Sequence, residues 1–328
     1  MGIRPAVAVT RPDLPGSGLA RLAERTTLRL WPSERPPEVD ELGDLVGDAC
    51  AVVCVNGDPV TDEMLDQCHS LRLVACASVG YDSVDVEAAA RLGIAVIHTP
   101  GVLAETVADL TVGLMIWARR GLGAAELNLR AGKWTSNGLW DHLGLDIHGA
   151  TLGLVGYGAI GRAVAVRAVG FGMTVLAYDQ RRCDEPEIRF VPLDELLRES
   201  DIVSLHVPLA SDTRGLIGER ELRLMKATST LINTSRGAII DEVALLRALH
   251  EGWIRSAGLD VQMREPNPDP DDPLLSMPNV VVLPHVGSAT LAARSSMVDL
   301  AVDNVLGFVE GGRLLTPVRE SLRVRESE

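Results

Sequence analysis

Apolar residues fall along this chain in short runs, separated by stretches with a helical recurrence. The runs Ala6–Thr10, Thr26–Trp31, Cys50–Val55, Leu73–Ala77 and Ile94–Ile97 have strand length and few charges, as expected of strands covered on both faces. Helices are expected between them. One is opened by Pro36 and Pro37 and runs to about Val46, a second covers Asp62–Cys68, and a third covers Val84–Leu92 and is ended by Gly93. Pro12–Gly18 reads as a Pro/Gly loop. This alternation predicts a parallel sheet covered by helices.

Thr99-Pro100-Gly101 interrupts the pattern, and a long helix is predicted over Leu103–Arg120. Gly121–Gly149 is the least regular stretch. It reads as a short helix plus an arm with Trp134, Trp140, His142 and His148, placed at a domain boundary or an interface. The alternation resumes at Thr151, with strands over 152–155, 173–178, Ile202–Val207, Thr230–Asn233, Ser256–Val261 and Val280–Leu283. Helices are expected over 160–169, Leu193–Arg198, Glu219–Met225 and Glu242–His250, with a Pro/Asp-rich loop at Pro266–Pro273. A last long helix, Ala289–Gly307, precedes a polar tail. The fold class is therefore α/β, with two doubly wound parallel-sheet domains joined by two long helices, the last of which returns to the first domain. Such a hinge is expected to leave a cleft that closes a small ligand off from water.

Composition narrows the partners. The 328 residues suffice for two domains with sizeable cores, and with 3% aromatics those cores must be built from Val, Leu, Ile and Ala. A net charge of −14 argues against nucleic acid and anionic membrane, which require basic patches, yet a local Arg can still hold an anionic substrate. Cys50, Cys54, Cys68, Cys76 and Cys183 are odd in number and form no C-x-x-C, which fits a reducing, cytoplasmic compartment, and Cys50 and Cys54, around a strand-like run, read as small core residues. No signal-peptide pattern opens the chain, and the apolar helix Val107–Ala118 is interrupted by Asp109 and too short to span a bilayer. The histidines His69, His98, His142, His148 and His250 lack metal-ligand spacing, so no metal is expected.

The most informative stretch is Thr151–Asp179. A buried strand leads into Gly156-Tyr157-Gly158-Ala159-Ile160-Gly161, then a helix, then a second strand closed by Asp179, 18 positions past the last glycine. Gly156 suits the tight turn, Gly158 the approach of a pyrophosphate to the backbone, and Gly161 close helix–strand packing. The helix N-terminus offers free N–H groups to that pyrophosphate, and Asp179 stands where a ribose diol would lie. A structural βα turn and a methyltransferase loop remain alternative readings. Asp179 favours NAD, while Arg181 and Arg182 behind it keep NADP open.

A bound nicotinamide needs a cation for the substrate and a proton donor, both from strand ends of the same sheet. Arg236, in Asn233-Thr234-Ser235-Arg236-Gly237, has the fork that binds a carboxylate, although a surface Arg at a turn would look the same. His285, in Pro284-His285-Val286-Gly287, can donate a proton near neutral pH, although a satisfied core histidine is the plainer reading. Glu265 can pair with and orient that histidine, or be a solvated acid in an acidic loop. Each of the three follows a different strand. His206, in His206-Val207-Pro208, reads as lining the cofactor groove.

The ordered set G-x-G-x-x-G, His-Val-Pro-Leu (206–209), Asn-Thr-Ser-Arg-Gly (233–237), Gly-Leu-Asp-Val with Glu-Pro (258–266) and Pro-His-Val-Gly-Ser-Ala-Thr (284–290) resembles the D-isomer-specific 2-hydroxyacid dehydrogenases over essentially the whole chain. The resemblance implies a flavodoxin-like substrate domain, 1–99 plus 288–328, and a Rossmann cofactor domain, 100–287. It implies that Arg236 binds the substrate carboxylate and carbonyl, that His285 protonates the carbonyl oxygen and that Glu265 pairs with His285. It further implies cofactor contacts at Thr106, Ala159, Ile160, Gln180, Arg181, Val207, Pro208, Thr213, Thr234, Ser235, Asp260 and Gly287. Substrate contacts are implied at Ser78, Val79, Gly80 and Ser288.

Trp134-Thr135-Ser136, Leu139-Trp140 and Ser78-Val79-Gly80 look like the glyoxylate/hydroxypyruvate reductase branch, which implies a homodimer. In that branch the arm with the second Trp reaches the neighbouring subunit, so Trp140 is either a specificity residue supplied in trans or an interface aromatic. Gln262 departs from the aromatic usual in the family, and Met263 and Arg264 are also unusual, so substrate choice can differ from the branch. The expected function is NAD(P)H-dependent reduction of a small 2-keto acid. Alternatives are a family member acting on phosphoglycerate, phosphite or a biosynthetic 2-keto acid, and an NADH-sensing corepressor-like binding protein.

Overall fold

The computed structural model describes residues 4–181, 185–267 and 269–326. The chain forms two compact units, Met1–Leu103 with Ala289–Glu328, and Ala104–Ser288. The divisions thus fall four residues beyond that expected at 99 and one beyond that expected at 287.

The first unit is built on five parallel strands: β1 (Ala6–Val9), β2 (Thr27–Leu30), β3 (Ala51–Cys54), β4 (Leu73–Cys76) and β5 (Ala95–Ile97). They are ordered β2-β1-β3-β4-β5, the flavodoxin-like order. Successive side chains point to opposite faces. Ala51 and Val53 meet the helices Gly18–Arg25 and Leu291–Val309, whereas Val52 and Cys54 meet Val39–Val46, Asp62–Gln67 and Val86–Arg91. Burial on both faces is why the strands read as unbroken apolar runs, and each buried Val or Leu contributes about 2 kcal/mol. The helix Gly18–Arg25 begins inside the stretch read as a loop. Gly18 looks like punctuation in the sequence, but a Cβ there would lie 2.6 Å from Val298 Cγ1. It is glycine so that two helices can touch.

The second unit carries β6 (Thr151–Val155), β7 (Thr174–Tyr178), β8 (Ile188–Phe190), β9 (Ile202–Leu205), β10 (Thr230–Asn233), β11 (Ser256–Leu259) and β12 (Val280–Val282). All are parallel, in the order β12-β11-β10-β9-β6-β7-β8. The strand β8 lies at the sheet edge. Its three residues are only partly covered, so it left no apolar run to read. Helices Ala104–Arg120 and Ala159–Gly170 cover one face, and Leu193–Glu199, Glu219–Leu224 and Glu242–Glu251 the other. Strand order reverses between β6 and β9, and such a reversal opens a crevice at the carboxyl ends of the strands.

The arm of this unit is largely uncovered. Helix Leu122–Arg130 has no buried residue, and Leu139 and Trp140 are 92% and 87% exposed. No helix among the described residues is long and apolar enough to cross a membrane.

Candidate active site

The glycine turn sits at the strand reversal. Gly156 adopts φ 98°, and a Cβ on it would meet the His206 carbonyl carbon and the Val207 nitrogen at 2.7 Å, so the turn lies directly on the chain leaving β9. A Cβ on Gly161 would meet the Gly156 carbonyl oxygen at 2.4 Å. Gly158 differs: a Cβ there would meet nothing within 4 Å. It opens the helix Ala159–Gly170, whose first N–H groups have no intrahelical partner. Open space at a helix N-terminus beside a bare backbone is the shape and polarity that a pyrophosphate requires. Ala159 is exposed and Ile160 half-buried at this mouth.

Asp179 at the end of β7 accepts the backbone N–H of Tyr157 (2.7 Å) and that of Arg181 (2.8 Å). Its carboxylate is thus tied to the glycine turn. Tyr157 is buried, donates its hydroxyl to Glu185 and stands edge-on to Phe190, while Arg162 pairs with Glu185 at 3.3 Å. Exposed Gln180 donates to Asp212 (3.2 Å). Arg182 and Cys183 lie outside the described residues.

His206 lines the groove after β9, with Nε2 2.9 Å from Ser204 Oγ. Burial pushes its imidazole down to about 4. The unfolded imidazole takes a proton near 6.5, so between those values the unfolded state binds more protons and stability falls as pH falls. The intact protein should lose about 2 kcal/mol more stability between pH 7 and 4.5 than His206→Gln does, measured by urea unfolding. Equal losses would remove His206 as the cause. Beyond it, Ser235 donates to the Val207 carbonyl, Thr213 donates to the Pro208 carbonyl (2.6 Å), and Thr234 Oγ1 lies 3.1 Å from Thr111 Oγ1. Thr106 is half-buried in the first turn of helix Ala104–Arg120.

The three strand-end residues come together at β10, β11 and β12. His285 Nδ1 lies 2.7 Å from Glu265 Oε2, and Glu265 Oε1 accepts the N–H of Gln262 (2.8 Å). Burial would raise the Glu265 carboxyl, but the His285 hydrogen bond, the Gln262 N–H and the charges of His285 and Arg236 outweigh it and hold the carboxyl below its usual range. An ionised Glu265 accepts from Nδ1–H and leaves Nε2 to work on a substrate.

The backbone of His285 is held in an unusual conformation, φ 51°. Asp260 is the reason. It is 1% exposed, its two carboxylate oxygens accept the N–H groups of Val286 and Gly287 (2.8 Å each), and its carbonyl accepts the N–H of His285 (2.8 Å). Burial raises its carboxyl above the ordinary value despite those N–H groups. Asp260 shapes the turn that presents His285. Gly287 is buried against it, and Ser288 is half-buried.

Asn233 was missed in the sequence. Fully buried, it donates to the Arg236 carbonyl (2.8 Å) and accepts the Ser235 N–H (3.0 Å), so it folds the loop that carries Arg236. The available signal was Asn at a strand end two residues before Ser, an Asx-turn pattern.

In the first unit, Ser78 Oγ donates to the Gly80 carbonyl (2.6 Å), and His98 Nδ1 lies 2.8 Å from the Val79 carbonyl. The Ser78 carbonyl accepts the N–H of Thr99 (2.8 Å), so all three carbonyls of this loop are engaged. Among the described residues, no group of three His, Cys, Asp or Glu side chains could hold a metal ion.

Known proteins resemble this chain in sequence and fold. The sequence model of the D-isomer specific 2-hydroxyacid dehydrogenase, NAD binding domain, matches residues 112–287. A glyoxylate reductase of Korarchaeum cryptofilum is 46% identical over 316 residues, covering 94% of each chain. The crystal structure of a glyoxylate reductase from Paecilomyes thermophila has a TM-score of 0.87 at 34% identity, covering 97% of this chain and 99% of that one. An NADPH-dependent glyoxylate/hydroxypyruvate reductase from Sinorhizobium meliloti, in complex with NADP and malonate, has a TM-score of 0.87 at 36% identity, covering 97% and 98%.

Proposed function

The chain belongs to the D-isomer specific 2-hydroxyacid dehydrogenases, and from that membership we propose that it reduces glyoxylate and hydroxypyruvate, as a homodimer and with NADH as the preferred donor. It is an NAD(P)-dependent oxidoreductase acting between a small 2-keto acid and the 2-hydroxy acid. The observation that carries the assignment of roles is the His285–Glu265 pair at 2.7 Å, reached from the ends of β12 and β11, with Arg236 at the end of the next strand, β10.

The residues fit the dinucleotide at three points. Gly156, Gly158 and Gly161 with the N-terminus of helix Ala159–Gly170 would hold its pyrophosphate, Asp179 its ribose, and the His206–Pro208 segment would line its groove. Bound there, the nicotinamide supplies the hydride. Arg236 binds the carboxylate of the acid and polarises its carbonyl. His285 gives a proton from Nε2 to the carbonyl oxygen as that oxygen becomes an alkoxide. Glu265 fixes the ring through Nδ1 and stabilises its charged form.

Asp179 supports NADH, because a carboxylate repels a 2′-phosphate. The uncovered arm, on which Leu127, Leu139 and Trp140 are all exposed, supports the dimer. Steady-state assays with glyoxylate, hydroxypyruvate, pyruvate and phosphonopyruvate, each with NADH and NADPH, test the reading. Glyoxylate and hydroxypyruvate with NADH should exceed the other acids in kcat/KM by about tenfold or more, the scale on which a pocket rejects an ill-fitting group. No turnover on any of the four would overturn the activity, NADPH preference would overturn the cofactor choice, and sedimentation as a monomer would overturn the dimer.

A further inference from the structure

The loop that carries Glu265 leaves β11 at Asp260 and enters the short helix Pro273–Ser276. Much of it is uncovered, with Met263 51% exposed, yet it must hold a carboxylate in register with His285. Its polar contacts form one continuous chain. Leu274, buried at the start of the short helix, donates its N–H to Asp272 Oδ1 (2.8 Å). Asp272 Oδ2 accepts from Asn267 Nδ2 (2.6 Å), and the same Nδ2 donates to Gln262 Oε1 (3.0 Å). The N–H of Gln262 then donates to Glu265 Oε1. The orientation of the Asn267 amide is fixed independently, because its Oδ1 accepts the N–H of Asp269 (3.2 Å).

Gln262 is also where two site loops touch. A Cβ on Gly237 would lie 2.0 Å from the carbonyl carbon and oxygen of Gln262, so the loop bearing Arg236 rests on the Gln262 peptide. A shift of that peptide therefore moves the support of both Arg236 and Glu265.

We propose that Asn267 is a positioning residue for the Glu265–His285 pair, its amide tying Gln262 at the root of the loop to Asp272 at the far end. The side chain of Gln262 is turned into the loop and held by Asn267, so it serves the loop's shape. The proposal rests on the reading that Glu265 and His285 act together in turnover.

The test uses the full-length protein. Asn267→Ala should lower kcat about tenfold, the scale of a misplacement below 1 Å, and leave the NADH dissociation constant unchanged. In a Glu265→Gln background the same change should cost clearly less, because the part of its action that runs through Glu265 is already cut. Gln262→Leu should reproduce the loss, and Gln262→Glu, which keeps an acceptor for Asn267, should recover most of it. The proposal is overturned if Asn267→Ala turns over normally while Glu265→Gln is impaired, or if Asn267→Ala costs the same factor in both backgrounds. Full activity in Glu265→Gln alone would instead sink the underlying reading of the acid pair. Should Asn267→Ala fail to fold, the contrast between the two Gln262 variants decides.

Discussion

Arg236→Ala is expected to lower kcat/KM for glyoxylate by about 10³-fold, or roughly 4 kcal/mol, within the range for truncating one partner of a buried, hydrogen-bonded charge pair. The loss should divide between a raised KM and a lowered kcat, because the guanidinium both holds the carboxylate and polarises the carbonyl. Its loop is held at both ends. Asn233, fully buried at the end of β10, takes hold of both Ser235 and the Arg236 carbonyl, and Gly237 seats the following turn on Gln262. Arg236→Lys should recover little, since an ammonium cannot reproduce the planar fork. NADH affinity should stay unchanged. Near-normal kinetics with Ala at this position would remove Arg236 from substrate binding.

His285→Ala should lower kcat by about 10²–10⁴-fold, the usual contribution of a general acid, with NADH binding retained. Three groups hold this imidazole. Glu265 takes Nδ1, the N–H of Gln262 holds Glu265, and Asp260 secures the left-handed backbone at residue 285 through three hydrogen bonds. The Glu265 carboxyl lies below its usual range, so it remains ionised through neutral and mildly acidic pH and keeps its acceptor role there. A His285→Ala variant with wild-type kcat would refute the acid assignment.

The sheet strands were legible because burial on both faces turns each into an apolar run, as in Ala51–Cys54, and the glycine turn because its spacing is dictated by close contacts. The elements that escaped had no such imprint. Helix Gly18–Arg25 is short and starts on a glycine chosen for contact with Val298, and β8 is a three-residue edge strand with little to bury. Within the site, chemistry-bearing side chains could be named from strand ends, but what holds them could not. Asp260 could be named from its motif, but not that its oxygens accept the N–H groups of Val286 and Gly287. Asn267 and Asp272 sat in a run of Pro and Asp that reads as solvated loop, and only the fold brings them to Gln262. Backbone-directed hydrogen bonds of this kind leave no periodicity.

The most direct test of the account is rapid mixing of NADH-loaded protein with glyoxylate, following nicotinamide absorbance through a single turnover. The account predicts that wild type oxidises its bound NADH in that turnover, while His285→Ala, loaded equally, transfers hydride more slowly by about 10²-fold or more. Hydride transfer at the wild-type rate in His285→Ala would contradict it.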